Sequence, residues 1–417
     1  MSIKGKKILV YDWGLFTENA ARLVRDGATV FYYVPWQEAF PKSTKAIIGE
    51  NFDGLQKIEP PKTFWSYIDK VDFLYFPDTH CGDLVEYLKG KGYSVAGVGR
   101  AEILELDRWK GRLVQKEVGL PTQNTRKVKG FDALVKILKN EKDLVVKLNI
   151  FRGDVETFIH DNYADSEPLL DNIKHELGRK AEHIEFIVEK KLEGSEPGLD
   201  GIVFDGDNLS PCMVGYEIKG SAYVGRIMLY KDVCIQLKRI NDKLAPIFKK
   251  MKTRFFFSTE VIIPDRIKGY LIDYTCRGAA PCVSAIQTEL IENFGDVIEG
   301  LATGKKVQPV MKYKYAVGVP LESEQCDKNW LKVEVSKDIK QWFKFRMACK
   351  LDGNYYVVPG FKSVGSVIAL ANTVQEAVRL VQERAIEIKA HQLDKNLSGL
   401  DDIEKRIEKG KAVGITF

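Results

Sequence analysis

The sequence lacks the cysteine patterns that staple small secreted domains or hold zinc. Its seven cysteines are widely spaced along 417 residues, and no two of them are separated by only two residues. An odd number at such spacings indicates neither a disulfide framework nor a zinc ribbon. We therefore expect reduced thiols and a cytoplasmic location.

Long hydrophobic runs and a strong net charge are also missing. No apolar stretch approaches the ~18 residues that a membrane-spanning helix needs, so we predict no membrane contact. The 63 Lys+Arg residues against 58 Asp+Glu give a net charge of +5. This near-balance does not by itself indicate a nucleic-acid-binding face, although a local basic groove for phosphates remains open. Nucleic acid is thus an unfavoured partner, and the oligomeric state is left open.

What is present is a folded chain of two or three domains, since 45% of the residues are hydrophobic and 29% are charged,. The first hundred residues alternate strand-like and helix-like segments. KILVY, residues 7–11, is the first strand, and Thr17 is predicted to cap a helix that ends at Gly27. Such alternation predicts a parallel, doubly wound sheet, whose ligands lie at the carboxyl ends of strands. Here those ends are residues 12–14 and 77–80.

The pattern changes further along the chain. Between residues 144 and 273 the strands look antiparallel, and from about residue 312 a third segment begins, which contains a long helix. The predicted domains are therefore 1–105, 106–308 and 309–417, and the fold class combines α/β and α+β domains. With no Pro-rich or Ser-rich linker between them, the domains are expected to pack closely.

The segment EVIIPDRIKGYLIDYTCRGAAP carries the most chemistry. Glu260 and Asp273 lie on two strand-like runs that a turn separates, so a hairpin can bring both to one face. Thr275 and Arg277 follow Asp273 at intervals of two, which places them on the same side of a strand. Two carboxylates and a hydroxyl suit Mg²⁺. Paired acids on a hairpin are more often a solvated face, so the hairpin alone does not establish a metal site.

A second charged group interrupts an apolar strand. Lys147 ends the run DLVVK, where a charge is costly unless it is paired. The turn that follows contains Arg152 and Gly153 and could approach phosphates with its backbone N–H groups.

Together these motifs resemble the ATP-grasp superfamily and, within it, the glycinamide ribonucleotide synthetase (phosphoribosylamine–glycine ligase) group. DRWK followed by VGLPT resembles the family's acidic-x-x-Lys helix and the turn after it. VEKKLEGSE resembles the hinge between two ATP-clamping lobes, and GFKSVGSVIALANTVQEAV resembles the small last domain. The resemblance covers nearly the whole chain, and it implies an ATP-grasp fold with an N-terminal doubly wound domain, a central two-lobed region and a small C-terminal α+β domain.

The resemblance also implies roles for individual residues. They comprise phosphate-binding lysines, a lid, an adenine-binding and ribose-binding segment, metal ligands and a loop that borders the γ-phosphate. In that order, the residues are Lys110 and Lys147; Arg152 and Gly153; Glu189 with the backbone of Lys190, Lys191 and Leu192, then Glu196; Glu260, Asp273 and Thr275; and Lys219 with Arg226. For Lys219 and Arg226, surface charges at strand ends are an equally good interpretation.

Two departures from the family pattern limit what can be carried over. The metal strand reads Asp-x-Thr where the family usually has Glu-x-Asn. The Gly-Gly-Arg-Glu-His run after the first strand is absent, so the phosphoribosylamine pocket is not preserved and the acceptor is expected to differ.

The leading hypothesis is an ATP- and Mg²⁺-dependent carboxylate–amine ligase, with Mn²⁺ as an alternative metal. It would join a small carboxylate, for example an amino acid such as glycine, to an amine, for which a nucleotide-derived acceptor is one option. Arg277 would stabilise the acyl phosphate and the intermediate that follows it. The alternatives are a kinase of the same fold and a nucleotide-binding module with weakened catalysis.

Overall fold

A computed structural model describes residues 2–35, 44–59, 61–150 and 157–417. The N-terminal segment forms a five-stranded parallel sheet in the order β3-β2-β1-β4-β5, which confirms the predicted doubly wound arrangement. Its elements are β1 (Lys7–Tyr11), α1 (Thr17–Arg25), β2 (Thr29–Tyr33), β3 (Gln56–Lys57), β4 (Phe73–Tyr75), α2 (Gly82–Gly90) and β5 (Val95–Ala96).

The predicted start of α1 is wrong by one residue. Thr17 is the first helical residue and Phe16 takes the cap position, without a capping hydrogen bond from its side chain. The Thr17 hydroxyl instead lies 3.1 Å from the Tyr32 hydroxyl inside the domain. The helix stops where predicted, because Gly27 adopts a φ of 97° that disfavours other residues,.

Two short helices, α3 (Ile103–Leu106) and α4 (Arg108–Glu117), lead into a separate four-stranded antiparallel sheet. Asp107 caps α4, since its carboxylate accepts the Lys110 N–H,. The sheet has the order β6-β9-β7-β8 and packs against two helices around its own apolar core. Its elements are β6 (Arg126–Lys129), α5 (Phe131–Leu138), β7 (Leu144–Leu148), β8 (Thr157–His160), α6 (Tyr163–Leu177) and β9 (Glu185–Lys190).

A nine-stranded antiparallel sheet forms the centre of the molecule. Its order is β15-β14-β10-β12-β13-β16-β21-β18, with β11 attached to β10. Its first part consists of β10 (Pro197–Phe204), β11 (Asp207–Asn208), β12 (Cys212–Ile218), β13 (Ala222–Met228), α7 (Ile235–Met251), β14 (Arg254–Ile262), β15 (Tyr270–Thr275), α8 (Cys282–Leu290) and α9 (Phe294–Thr303).

The last third of the chain extends this same sheet, because β16 pairs with β13 and β21 pairs with β16. A small sheet in the order β19-β20-β17-β22 lies beside it. The elements are β16 (Tyr315–Glu322), α10 (Gln325–Lys328), β17 (Leu331–Glu334), α11 (Lys337–Lys340), β18 (Phe343–Phe345), β19 (Ala348–Leu351), β20 (Asn354–Val357), β21 (Ser363–Ala371), α12 (Val374–Glu387), β22 (Lys389–Ala390) and α13 (Ile403–Ala412).

One large core joins these parts. Buried residues of the N-terminal sheet, the central sheet and the C-terminal segment form a single apolar cluster, whereas the β6-β9-β7-β8 sheet has its own. In the described ranges, no helix has the length and apolar character needed to cross a membrane. The division at residues 105 and 308 stays a prediction, and the central sheet continues across the second boundary.

Candidate functional site

A cleft of about 700 Å³ opens where the N-terminal sheet, the β14–β15 hairpin and the C-terminal segment meet. The ends of β1 and β4 face it, as the parallel sheet predicts. The residues that line it comprise acids, cations and aromatic groups from all three segments, among them Trp13, Lys45, Asp78, His80, Glu105, Arg108, Glu217, Glu260, Asp273, Thr275, Arg277, Glu322, Arg346, Phe361 and Ser363.

The predicted acid pair meets in this cleft. Glu260 on β14 is the direct partner of Asp273 on β15, and the register shifts only after Glu260. Asp273, Thr275 and Arg277 are partly exposed, whereas Tyr274 and Cys276 between them are buried. This alternation places all four predicted groups on the wall of one cleft,.

The two acids have opposite electrostatic environments. Burial and the carboxylates of Glu217, Glu196 and Asp273 raise the pKa of Glu260 to about 8. Burial also acts on Asp273, but the positive charges of Lys147, Arg108 and Arg112 outweigh it and hold the pKa of Asp273 below its ordinary value. With this pKa, Glu260 is largely protonated near neutral pH, and a cation bound beside it would favour the ionised carboxylate,.

The donor groups at the acid pair suit magnesium rather than a metal ion whose ligands are all supplied by the protein. Among the described residues, no group of three or more His, Cys, Asp and Glu side chains is arranged to hold a metal ion. Two carboxylates and the Thr275 hydroxyl would supply only part of a coordination shell. Magnesium is commonly bound in this way, through one or two carboxylates, several waters and substrate phosphates.

Lys147 is anchored beside the acid pair. Its ammonium group donates to the Ile272 carbonyl at 2.8 Å and lies 3.4 Å from the Asp273 carboxylate. The residue is only 6% exposed, which explains how a charge is tolerated at the end of an apolar strand. Within the described part of the chain, these two contacts use two of its three N–H donors.

Arg277 lies in the cleft but is already paired. Its guanidinium contacts Glu105 at 3.0 Å and Asp78 at 3.4 Å. The negative charges of these two acids overcome the effect of burial and raise the pKa of Arg277 above its ordinary value. Arg277 therefore ties the end of β15 to the end of β4. Its predicted contact with a transferred phosphoryl group stays a prediction.

Glu189 also has protein partners. Its carboxylate receives two hydrogen bonds from Arg112, at 2.6 and 2.8 Å, and one from Thr125 at 2.7 Å. The backbone N–H groups of Lys190 and Lys191 donate to the carbonyls of Gln123 and Asp143. Glu189 is therefore held by protein partners at the end of β9, and its predicted contact with the adenine edge stays a prediction. The backbone N–H of Leu192 has no partner among the described residues and remains the best candidate for the predicted adenine contact.

The structure brings Arg108 into the cleft and leaves Lys110 outside it. The Lys110 side chain is 59% exposed, its ion pair within the described ranges is with the neighbouring Asp107, and it does not line the cleft. Side chains two residues apart on a helix point in nearly opposite directions. Because Arg108 faces the cleft, Lys110 therefore faces solvent. Arg108 also donates to the Leu148 carbonyl at 2.7 Å. The sequence did not indicate Arg108, because the acidic-x-x-Lys motif pointed to Lys110.

The other predicted residues are scattered. Glu196 lines a second cavity of about 210 Å³ that adjoins the cleft at Glu260 and Thr275. Lys219 is exposed in the turn between β12 and β13, and Arg226 lies on the opposite face of β13 from Tyr223, which lines that cavity. Neither Lys219 nor Arg226 lines either cavity. Arg152 and Gly153 lie outside the described residues.

The second cavity contains an acid that no motif indicated. Asp200 on β10 is buried and accepts hydrogen bonds of 2.5 Å from both Tyr223 and Ser258. Burial raises its pKa, although both hydrogen bonds oppose the shift. An acid in the middle of the strand-like run PGLDGIVF is the only signal that the sequence offered.

Comparisons with known proteins identify the fold. Neither a protein-family model nor a curated protein sequence matches the chain. Among solved structures, it resembles phosphoribosylamine–glycine ligase from Thermotoga maritima, with a TM-score of 0.69 and 17% identity over 93% of this chain and 98% of that one.

Two further structures have the same fold at similar distance. One is the biotin carboxylase domain of 2-oxoglutarate carboxylase from Hydrogenobacter thermophilus, in complex with MgADP, ADP and bicarbonate, at a TM-score of 0.65 and 12% identity over 98% of both chains. The other is an L-amino acid ligase from Bacillus licheniformis, at 0.61 and 13% over 93% of this chain and 99% of that one. The ATP-grasp fold predicted from the sequence is confirmed.

Proposed function

We propose that this ATP-grasp chain is an ATP- and Mg²⁺-dependent carboxylate–amine ligase that acts through an acyl phosphate. The observation that carries the proposal is the direct pairing of Glu260 with Asp273, beside Lys147, on the wall of a cleft that three segments of the chain enclose. Neighbours of the same fold are ligases or carboxylases, and one holds MgADP. Manganese is an alternative metal at the same donors.

Each part of the site has a role in this proposal. Glu260, Asp273 and Thr275 would hold magnesium, which when bound neutralises charge on the phosphoryl oxygens. Lys147 and Arg108 would contact the phosphates; Arg108 thus takes the role that the sequence suggested for Lys110. These two roles are supported by the position of Lys147, 3.4 Å from the Asp273 carboxylate, and by Arg108 lining the cleft. Leu192 would lie at the adenine edge and Glu196 would lie towards the ribose.

The reaction needs no nucleophilic side chain. A substrate carboxylate oxygen attacks the γ-phosphorus, the bond from that phosphorus to ADP breaks, and an acyl phosphate forms. The amine then attacks the acyl carbon, loses a proton to solvent and displaces phosphate. Arg277 lies near the end of β15, where it would face the charge that builds on the acyl oxygen. Closure of the cleft over bound ATP would limit hydrolysis of the acyl phosphate.

The experiment is a product analysis with purified protein, ATP and Mg²⁺. Carboxylates and amines are tested in pairs and singly, with hydroxylamine as a general amine that traps an acyl phosphate as a hydroxamate. We expect ADP and phosphate only when a carboxylate and an amine are both present, and a product whose mass is the sum of the two minus water. A stable phosphorylated product without phosphate release would instead show that the protein is a kinase and not a ligase.

A matched pair of variants ties the reaction to the site. Glu260→Gln should abolish the release of ADP, whereas Glu334→Gln, an exposed glutamate on β17, should leave it unchanged. Full turnover in Glu260→Gln would overturn the proposed role of the acid pair.

A further inference from the structure

The second cavity lies against one face of the central sheet. On that face Gly198 of β10 is the direct partner of Gly215 on β12 and of Glu260 on β14, and all three line the cavity. A Cβ on Gly215 would collide with the Tyr223 hydroxyl, whereas a Cβ on Gly198 would meet nothing closer than 3.6 Å. Gly215 therefore makes room for Tyr223, and the missing side chain of Gly198 leaves open space. Residues 279–283, at the start of α8, line the cavity as well.

Acids, and no basic side chain of the described residues, line this cavity. The acids are Glu196, Asp200, Glu217, Glu260 and Glu322. Lys219 lies two residues beyond Glu217, but it is exposed and does not line the cavity. The proposed function assigns Glu260 to the metal and Glu196 to the ribose, which leaves the other three acids without a role. A cationic ligand would compensate their charge.

These acids stand at two ends of the cavity. Glu217, Glu260 and Glu322 line both the cavity and the cleft, so they mark its mouth. Asp200 lines the cavity but not the cleft, and it therefore lies at the inner end. On β10 it follows Gly198, the partner of Glu260, by two residues. Because a strand rises about 3.3 Å per residue, roughly 7 Å of strand separates the inner acid from the mouth.

Asp200 is a buried carboxylate that forms no ion pair in the described part of the chain. It is 5% exposed and accepts one hydrogen bond from Tyr223 and one from Ser258, each at 2.5 Å. A carboxylate offers about four lone-pair positions, so these two hydroxyl groups use about half of them. Burial of an ionised acid beside neutral partners alone is costly, and a cation bound in the cavity would reduce that cost.

A molecular cation fits this inner end better than a metal ion. The described residues contain no group of three or more His, Cys, Asp and Glu side chains that is arranged to hold a metal. Asp200 also lies away from the cleft, where nucleotide phosphates would complete the ligand shell of a metal ion.

We propose that the second cavity binds the amine substrate of the ligase and that this substrate is a compact aliphatic diamine. One ammonium group contacts Asp200 at the inner end, and the other amine lies at the mouth, where the acyl phosphate would form. A cavity of about 150 Å³ holds benzene, and 1,4-diaminobutane has as many non-hydrogen atoms, so it fits the volume of about 210 Å³. A nucleotide is too large for this space. The inference rests on the proposed function, because the amine at the mouth must meet the acyl phosphate.

The test is isothermal titration of small probes into the full-length protein that is saturated with MgADP, in a buffer that contains no amine. 1,4-Diaminobutane carries a charge at each end, butylamine carries a single charge on the same carbon chain, and 1,4-butanediol has the length of the diamine without charge. We expect 1,4-diaminobutane to bind at least about tenfold more tightly than butylamine, since its second ammonium group forms a charge-assisted hydrogen bond with Asp200. 1,4-Butanediol should bind more weakly than either amine.

One pair of variants locates the second ammonium group. Asp200→Asn keeps the size of the side chain and removes its charge. It should lower the affinity for 1,4-diaminobutane about tenfold, to that for butylamine, and change butylamine binding less than about threefold. Asp207→Asn is the matched control, since the Asp207 side chain is 68% exposed and lines neither the cavity nor the cleft. A general loss of structure would instead lower both affinities alike.

A second pair of variants tests the space. Gly198→Ala adds a methyl group inside the cavity and should weaken the binding of both amines at least about threefold. Gly201→Ala is the matched control on the same strand, because Gly201 does not line the cavity and a Cβ there would meet the Cys212 Cβ at 3.5 Å, an ordinary contact. It should leave both affinities unchanged. Thermal unfolding of each variant shows whether it is folded.

The outcomes separate this inference from the proposed function. MgADP that binds while 1,4-diaminobutane does not, equal affinity for 1,4-diaminobutane and butylamine, or an undiminished preference for the diamine in folded Asp200→Asn would each overturn the diamine pocket alone. Failure of MgADP to bind would overturn the proposed function, and the same probes titrated into nucleotide-free protein would then still decide whether the cavity binds a diamine.

Discussion

Arg112 and Lys147 donate to the same atom, the carbonyl oxygen of Ile272, at 2.7 and 2.8 Å. Each cation also has its own carboxylate: Arg112 binds Glu189 on β9, and Lys147 contacts Asp273 on β15. The peptide just before Asp273 is thus fixed by two buried cations that come from α4 and β7. The position of β15 therefore depends on residues that do not line the cleft.

Replacing Arg112 should destabilise the fold far more than replacing a surface arginine that binds a glutamate through two similar hydrogen bonds. Arg112→Gln leaves Glu189, which is 1% exposed, as a buried charge without its main partner, and we expect a loss of about 3–5 kcal/mol in the free energy of unfolding. Arg126 pairs with Glu141 through two similar bonds, at 2.7 and 2.9 Å, but on the surface. Arg126→Gln should cost less than about 1 kcal/mol.

Urea unfolding of both variants measures the difference. Equal losses in the two variants would show that burial of the Arg112–Glu189 pair does not set its contribution.

Removal of either acid of the pair should uncouple magnesium from nucleotide binding. MgADP at 100 times its Kd should stabilise the wild-type protein by about 2.7 kcal/mol. In Glu260→Gln and Asp273→Asn the stabilisation should be the same with Mg²⁺ as with EDTA, because a donor has lost its charge. Thermal unfolding with ADP and either Mg²⁺ or EDTA is the measurement. A full magnesium effect in both variants would remove the metal assignment.

Arg108 and Lys110 should differ sharply in their effect on nucleotide binding. Arg108→Gln removes a charged donor from the cleft wall and should weaken ADP binding about 10- to 100-fold. Lys110→Gln changes an exposed side chain and should alter the affinity less than about twofold. Titration calorimetry distinguishes the two. A larger effect at Lys110 would restore the assignment that the sequence suggested.

The pH dependence of stability should contain a contribution from Asp12. Burial, opposed by the Tyr32 hydrogen bond and reinforced by Asp78, raises the pKa of Asp12 from 3.8 to about 6. The unfolded chain loses this proton first as the pH rises, so Asp12 lowers stability progressively between pH 3.8 and 6 and adds no further change above that. The loss should reach about 2–3 kcal/mol.

Asp12→Asn should flatten this part of the profile, since the amide cannot ionise. Urea unfolding at pH 4 to 7 measures it, with Asp132→Asn, an aspartate whose side chain is 89% exposed, as the control. A profile that keeps its slope in Asp12→Asn would assign the effect to another group.

Local patterns were sufficient to predict the parts of the site that lie on one hairpin. The spacing of Glu260 and Asp273 and the two-residue period of a strand place both acids and Thr275 on one face, and this is what the structure shows. The same holds for the parallel sheet, whose strands and helices alternate along the sequence. In both cases the interacting residues are neighbours in the chain or in the sheet order.

Contacts between distant segments could not be read in the same way. Which side of α4 enters the cleft depends on how the helix docks, so the sequence did not favour Arg108 over Lys110. The partners of Glu189 come from α4 and from the residue before β6, and those of Arg277 come from α3 and from the end of β4. These separations of 64 to 199 residues are not covered by any spacing rule.

The continuity of the central sheet has a consequence for truncation. Deleting the chain after residue 308 would strip β13 of its neighbour β16 and expose the backbone edge beside Tyr223 and Val224, which are buried in the intact protein. A bare apolar edge of this kind invites aggregation. A shortened protein ending there would therefore be recovered as insoluble material, whereas the β6-β9-β7-β8 sheet, with its own core, is the segment that could be expressed alone.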